Sequence, residues 1–346
     1  MYRLAESYLP PAACLKPILT ALSAFKSRDI DLDLLTHVYS LPAGLLERPS
    51  LGEITAACRH ELMVRFGDVP SVITDLEHRG DFCALPFAAV LEWLQSDDLK
   101  VHSESCVLFL LSAWVNSEEH PACSLHQQRQ LAHTVRVGQL SPTYLNSVLP
   151  DLKWFQGSCS SEEGRLVRAL QVRSGHAGAS CSPWPGPAAW ISDKRRRTVA
   201  QTSVCLEWSL GAGDIATIDS LPRGCVLDSP GKAYSNGIFY ELYVSKVAEA
   251  KGDPAVTLGF CLRVACGSMN HVLESWNPDE QPCLFRAELW VPSCTTVGTT
   301  RQLHNVCTGS GSGVTNLLGR SGATIAEVVA PFLKEGRLSL KAVIKA

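Results

Sequence analysis

The sequence predicts a multidomain chain of two fold classes, α followed by all-β: a helical array in the N-terminal half and an antiparallel β-sandwich in the C-terminal half. Three observations carry this. Apolar residues recur at helical spacing behind Ser and Pro start signals in the first half, but alternate one in two beyond Thr198. Gly, Ser and Pro dominate between these regions, from Gly157 to Ser161 and again from Gly175 to Pro187. The 346 residues, 46% hydrophobic and 19% charged, are enough for about two or three packed domains and argue against wholesale disorder.

The helical elements come first. The apolar run from Leu85 to Leu94 carries Pro86, which a first helical turn tolerates. Ser103 is placed to cap the next helix, and Glu104 in its first turn suits the positive end of the helix dipole. Val107, Leu108, Leu110, Leu111, Trp114 and Val115 then follow at helical spacing. Ser141-Pro142 repeats the start signal ahead of Tyr144, Leu145, Val148 and Leu149, and Leu166 to Val172 reads as a further helical piece. Trp93, Trp114 and Trp208 occupy core phases.

The strands follow. Val204, Leu206, Trp208 and Leu210 alternate with Cys205, Glu207 and Ser209. The same period runs through Val256–Val264, Phe285–Val291 and Leu338–Ile344, and Asn236-Gly237 is a turn signal opening a strand at Ile238–Val244. One-sided strands need a second sheet over their apolar face, so a sandwich is the expected solution.

Composition and motifs exclude several function classes. A formal net charge of −3 gives no field to recruit nucleic acid or an anionic membrane. Apolar runs such as Cys106–Leu111 fall far short of the roughly 20 residues a membrane helix needs. The 14 cysteines are scattered singly, with no C-x-x-C pair, and read as free thiols in a reducing compartment, the cytoplasm or nucleus. Gly309-Ser310-Gly311-Ser312-Gly313 places glycine where a hydrolase elbow needs its serine. Gly231-Lys232 is followed by Ala233, where a phosphate loop needs Ser or Thr. His120, Cys123, His126 and His133 are metal-type residues, but their spacing matches no standard zinc site and solvated histidines with a half-buried thiol are expected. No catalytic residue, cofactor or metal is therefore assigned, and the chain is read as a non-enzyme.

Order and spacing from Leu85 to Leu145 then add a resemblance. Leu85-Pro86-Phe87, Ser96-Asp97-Asp98-Leu99, Val101-His102-Ser103-Glu104, Trp114-Val115, Val135-Arg136-Val137 and Leu140-Ser141-Pro142-Thr143-Tyr144-Leu145 resemble the BACK domain that follows a BTB fold in adaptors of cullin-RING ubiquitin ligases. Leu4-Ala5-Glu6-x-Tyr8, Cys14-Leu15 and Leu22 are similar to the last helices of a BTB domain, whose core would precede them, and 30–62 to the stretch linking BTB to BACK. In the C-terminal half, Glu207-Trp208-Ser209-Leu210, Tyr234–Leu242, Thr324–Val328 and Phe332–Leu340 resemble a MATH (TRAF-like) sandwich. A Kelch propeller is not supported, since no Gly-Gly doublet or period near 50 residues occurs.

These resemblances imply a BTB remnant at 1–25, a BACK-like domain at 26–172, a flexible linker with a basic run at 173–200 and a MATH/TRAF-like sandwich at 201–346. They imply a substrate-recognition adaptor with a cullin scaffold and an unknown protein substrate as partners, or a two-domain interaction scaffold that recruits no ligase. Tyr240, Leu242 and Trp290 are the candidate protein-binding residues, on strands expected near a peptide groove. Lys194, Arg195, Arg196 and Arg197 are either a solvated linker or a nuclear import signal.

Overall fold

A computed structural model describes residues 30–46, 49–118, 123–174, 187–192, 196–198, 203–248, 255–265, 286–290, 301–304, 312–314, 318 and 321–345. They divide into two compact units. The first holds the described residues of Met1–Gln139, Gly157–Glu163 and Pro183–Val199, and the second those of Leu140–Gln156, Gly164–Ser182 and Ala200–Ala346. The stretch likened to the end of a BTB domain, 1–25, lies outside the described residues.

The first unit is helical: α1 (Leu32–Tyr39), α2 (Ala43–Leu46), α3 (Gly52–Phe66), α4 (Val69–Thr74), α5 (Leu76–Cys83), α6 (Phe87–Gln95), α7 (Glu104–Val115) and α8 (Leu125–Thr134). Acidic N-caps start three of them: the side chain of Asp31 accepts from the Leu34 amide, Asp68 from Ser71 and Asp75 from His78. A reciprocal capping box between Ser124 and Gln127 starts α8. Pro86 stands at the N-cap of α6 and not inside its first turn. Ser103 occupies the N-cap position of α7, yet its side chain makes no capping bond.

Helix α7 is buried from Glu104 through Trp114, which makes it the central rod of the unit. Three tryptophans of the unit, Trp114 of α7 itself among them, bury their rings and each donates its indole N–H to a main-chain carbonyl at 2.8 Å: Trp93 to Phe66, Trp114 to Leu85 and Trp190 to Ala132. Phe66, Phe82 and Trp93 stack edge-on, with ring centroids 5.6 and 4.7 Å apart.

Trp190 belongs to the stretch expected as a flexible linker, and here the structure differs from the sequence reading. Ala188–Ile191 forms a 3-10 turn with Trp190 fully buried. The Gln139 amide donates to the Ser192 carbonyl at 3.0 Å, and strand β2 (Arg197–Thr198) pairs in parallel with β1 (Lys100–Val101). The described residues of 187–198 are thus an integral strap of the helical unit, because a buried indole and a buried guanidinium hold them there.

The second unit begins with Leu140–Gln156, which the sequence reading assigned to the helical domain. Ser141 Oγ accepts from the Tyr144 amide at 3.3 Å, as the start signal implied, and Tyr144–Val148 forms a π-helical turn followed by a 3-10 turn at Leu149–Asp151. Helix α9 (Lys153–Ser158) comes next, and in α10 (Ser161–Ser174) the Gln171 amide donates to the Leu145 carbonyl at 2.8 Å.

Among the described residues this unit also holds two four-stranded antiparallel sheets. One runs in the order β3 (Val204–Leu210), β10 (Leu338–Lys345), β7 (Arg286–Trp290), β8 (Arg301–His304). The other runs β4 (Val226–Ser235), β5 (Ile238–Ala248), β6 (Val256–Val264), β9 (Ser312–Val314). The alternation read from sequence is realised in β3, where Leu206, Trp208 and Leu210 are buried, and in β10, where Leu338, Leu340, Ala342 and Ile344 are; β6 buries Val256, Leu258, Phe260, Leu262 and Val264 but also Thr257 and Gly259 between them. The Asn236-Gly237 turn is realised too, with φ of 50° and 86° at the two positions.

Two helices complete the unit, α11 (Ala212–Ser220) and α12 (Ile325–Val329). They pack on one another, and the Asp219 carboxylate of α11 accepts from the Ile325 and Ala326 amides of α12 at 2.7 and 3.3 Å.

Candidate functional site

The described members of the metal-type cluster do not come together as a metal site. His133 Nε2 lies 2.8 Å from Glu163 Oε1, and burial pushes the Cys123 thiol up to about 11, away from the thiolate zinc requires. His126 is exposed on α8, and His120 lies outside the described residues. Among the described residues no group of three or more His, Cys, Asp and Glu side chains could hold a metal ion. No disulfide joins the described cysteines, from Cys58 to Cys261.

Glu163 is a local hub. Its carboxylate accepts from the Ser160 amide at 2.6 Å and lies 3.4 Å from Arg129. Burial raises its pKa, but the Ser160 hydrogen bonds, His133 and Arg129 outweigh this and hold it below the ordinary carboxylate value.

The basic run splits. Arg196 has a side chain only 1% exposed, and its Nε donates to Glu104 Oε2 at 2.9 Å. Its Nη2 reaches the Leu94 carbonyl at 2.6 Å and its Nη1 the Ser96 carbonyl, both at the C-terminal end of α6. The guanidinium therefore sits at the negative end of one helix while its partner, Glu104, sits in the first turn of another. The second oxygen of Glu104 accepts from the Arg136 amide at 3.1 Å, and Arg136 in turn pairs with Asp97. Burial lowers the pKa of Arg196, and the Glu104 charge opposes that shift. Arg197 is exposed, and Lys194 and Arg195 lie outside the described residues. Arg196 is thus unavailable to a receptor in the folded unit, because its five donors are turned inward.

The candidate binding residues also fall differently from expectation. Tyr240 is 4% exposed and Leu242 fully buried, both on β5, which is flanked by β4 and β6. They are core residues of an interior strand. Trp290 ends β7, also an interior strand, and the register pairs it with Lys341; its side chain lies outside the described residues. Neither β5 nor β7 offers a free main-chain edge to a peptide.

What the second unit does present is a polar face and a set of edges. On β4, β5 and β6 the register aligns Lys232, Glu241 and Arg263 in one row and Asp228, Tyr243 and Cys261 in another. Arg263 bridges both, 2.9 Å from Glu241 and 2.8 Å from Asp228, with its guanidinium carbon 5.0 Å from the centre of the Tyr243 ring. Sequence reading missed this cluster, since only the register brings three strands into one row.

The two long edge strands, β3 and β4, differ. In β4 the pairing with β5 breaks between Asp228 and Lys232, and Pro230, which has no N–H, stands in the break. Ser229 Oγ accepts from the Leu242 amide at 3.1 Å and donates to the Gly231 carbonyl at 2.8 Å, so the bulge is satisfied locally. In contrast, β3 keeps unbroken register with β10 over seven pairs, Val204–Ile344 to Leu210–Leu338.

Residues 63–150 match the BACK family, BTB And C-terminal Kelch, a span running from the end of α3 to the 3-10 turn at Leu149–Asp151. A search of curated proteins found no match to the chain.

Proposed function

We propose that this protein is a non-catalytic substrate-recognition adaptor of a cullin-RING ubiquitin ligase, in which the β-rich unit binds a partner protein. The observation that carries this reading is the BACK match over residues 63–150 in a chain whose C-terminal part is built of antiparallel sheets. BACK domains are typical of BTB-containing adaptors of these ligases. The two sheets would close as a MATH/TRAF-like sandwich, and ubiquitin transfer would be the work of the recruited scaffold. Free thiols in both units are consistent with a reducing compartment, and no helix among the described residues is long and apolar enough to cross a membrane. Nuclear import through Lys194–Arg197 would have to read a run from which Arg196 is withdrawn.

The test is purification of the tagged full-length chain from its own cells, with quantification of co-purifying proteins. Recovery of a cullin together with ubiquitin-conjugated partners is the expected result. Stoichiometric partners recovered without any cullin would leave a two-domain interaction scaffold and overturn the ligase reading.

A further inference from the structure

The basic run ends at a hydroxyl. Thr198 directly follows Lys194, Arg195, Arg196 and Arg197, and precedes Val199. In the folded helical unit Thr198 is exposed, and its hydroxyl donates to the Arg196 carbonyl at 3.4 Å. Two positions before it, the Arg196 guanidinium is turned the other way, sealed against Glu104 and the carbonyls that end α6. Arg197 between them is exposed, and β2 holds Arg197 and Thr198 in parallel register with Lys100 and Val101. The hydroxyl is therefore open to solvent while the cation that precedes it by two positions is not.

We propose that Thr198 is a phosphorylation site for a protein kinase that selects arginine ahead of its target hydroxyl, and that the seat of Arg196 on Glu104 is its lock. A kinase cleft of this class receives arginine on its own carboxylates, through the same forked pairing that the guanidinium makes here, with Nε on Glu104 Oε2 and Nη2 facing Oε1. One guanidinium cannot serve both partners. A cleft that takes the chain as an extended segment also needs the pairing of β2 with β1 undone. Phosphorylation thus requires 196–198 to open locally, an event distinct from unfolding of the whole unit. In the step itself Thr198 Oγ1 attacks the γ-phosphorus of ATP, the bond from that phosphorus to the bridging oxygen of ADP breaks, and the hydroxyl proton passes to a carboxylate of the kinase. The phosphate adds a charge of about −1.5 to −2 and marks those molecules whose strap has opened. This inference is independent of ligase recruitment.

The experiment compares the folded full-length chain with a synthetic peptide of residues 193–201, in which Thr198 is the sole hydroxyl. Both are given the catalytic subunit of a cyclic-AMP-dependent protein kinase with magnesium and ATP, and phosphate at Thr198 is followed by tandem mass spectrometry. The peptide should be modified readily, and the chain at the same residue at least about tenfold more slowly, as a locally closed segment requires. Glu104→Gln removes the anion that holds Arg196 and leaves 193–201 intact. It should bring the rate close to that of the peptide with the circular dichroism spectrum unchanged. A peptide left unmodified would overturn the recognition, and equal rates for peptide and unsubstituted chain would overturn the lock. A chain that never gains phosphate at Thr198, or a folded Glu104→Gln chain that keeps the slow rate, would overturn the proposal as well. The comparison of peptide with unsubstituted chain needs no variant, so it decides the matter even if Glu104→Gln fails to fold.

Discussion

Arg196 shows how much one side chain can decide. It brings a positive charge into the interior of the helical unit, where Glu104 and the carbonyls of Leu94 and Ser96 receive it. Truncating one partner of such a pair strands the other charge in a low-dielectric site, a loss of about 3–5 kcal/mol. Arg196→Ala should therefore lower the urea midpoint strongly, and Arg196→Lys should recover little, since an ammonium cannot span the same four acceptors. Glu163 makes a smaller contribution whose sign is fixed. Its folded-state pKa lies below the ordinary value of 4.5, so its stabilisation is fully present above that pH and is lost as pH falls through the folded value. His133 and Arg129, which face it, lose their anionic partner as it protonates. Glu163→Gln should flatten the acid limb of a stability-against-pH curve, and an unchanged limb would remove Glu163 from the account.

Among the elements, the β4–β5 turn is the most tightly specified. Gly237 has φ of +86°, and a Cβ placed there would lie 2.7 Å from the Tyr144 ring. The Tyr144 hydroxyl donates to the Gly237 carbonyl, and its ring is fully buried. Gly237→Ala combines a left-handed backbone with an overpacked ring and should cost roughly 2–4 kcal/mol, whereas Tyr144→Phe should cost about 1 kcal/mol, both read from chemical denaturation. The elements also show what sequence could reveal. The one-in-two period of β3 and β10 is local, so the buried set could be read directly. The same period runs through β5, where Tyr240, Leu242 and Val244 share a face against Glu241, Tyr243 and Ser245. Applied there, it would have assigned Tyr240 and Leu242 to the core and not to a binding surface. Edge status was not legible, because strand order depends on pairings between strands such as β7 and β10, far apart in the chain. The strap was hidden for a different reason: one arginine in a run of four cations looks solvated until its acid, in another helix, is known.

At the scale of the whole molecule, the family match and the folding units have different borders. Residues 63–150 start inside α3 and end after Leu140, where the chain has entered the second unit, and they omit the strap. A fragment of 63–150 keeps Glu104 and the indole acceptor Ala132 but has neither Arg196 nor Trp190. It should show no cooperative thermal transition, whereas 30–198, which holds all the described partners of Glu104, should melt cooperatively. Calorimetry of the two fragments checks this, and a sharp transition in the shorter one would show that the strap is dispensable.

The separation between Glu104 and Arg196 has a consequence for synthesis. The two residues are 92 positions apart in the chain. At the usual pace of a ribosome, about 5–20 residues per second, the central helix emerges roughly 5–20 seconds before the cation that neutralises it. During that interval its acidic first turn cannot be sealed into an apolar interior, and the nascent helical layer stays open. The last step in maturing this unit is therefore delayed until most of a further domain's worth of chain has been made, which leaves a defined window in which a chaperone can engage it.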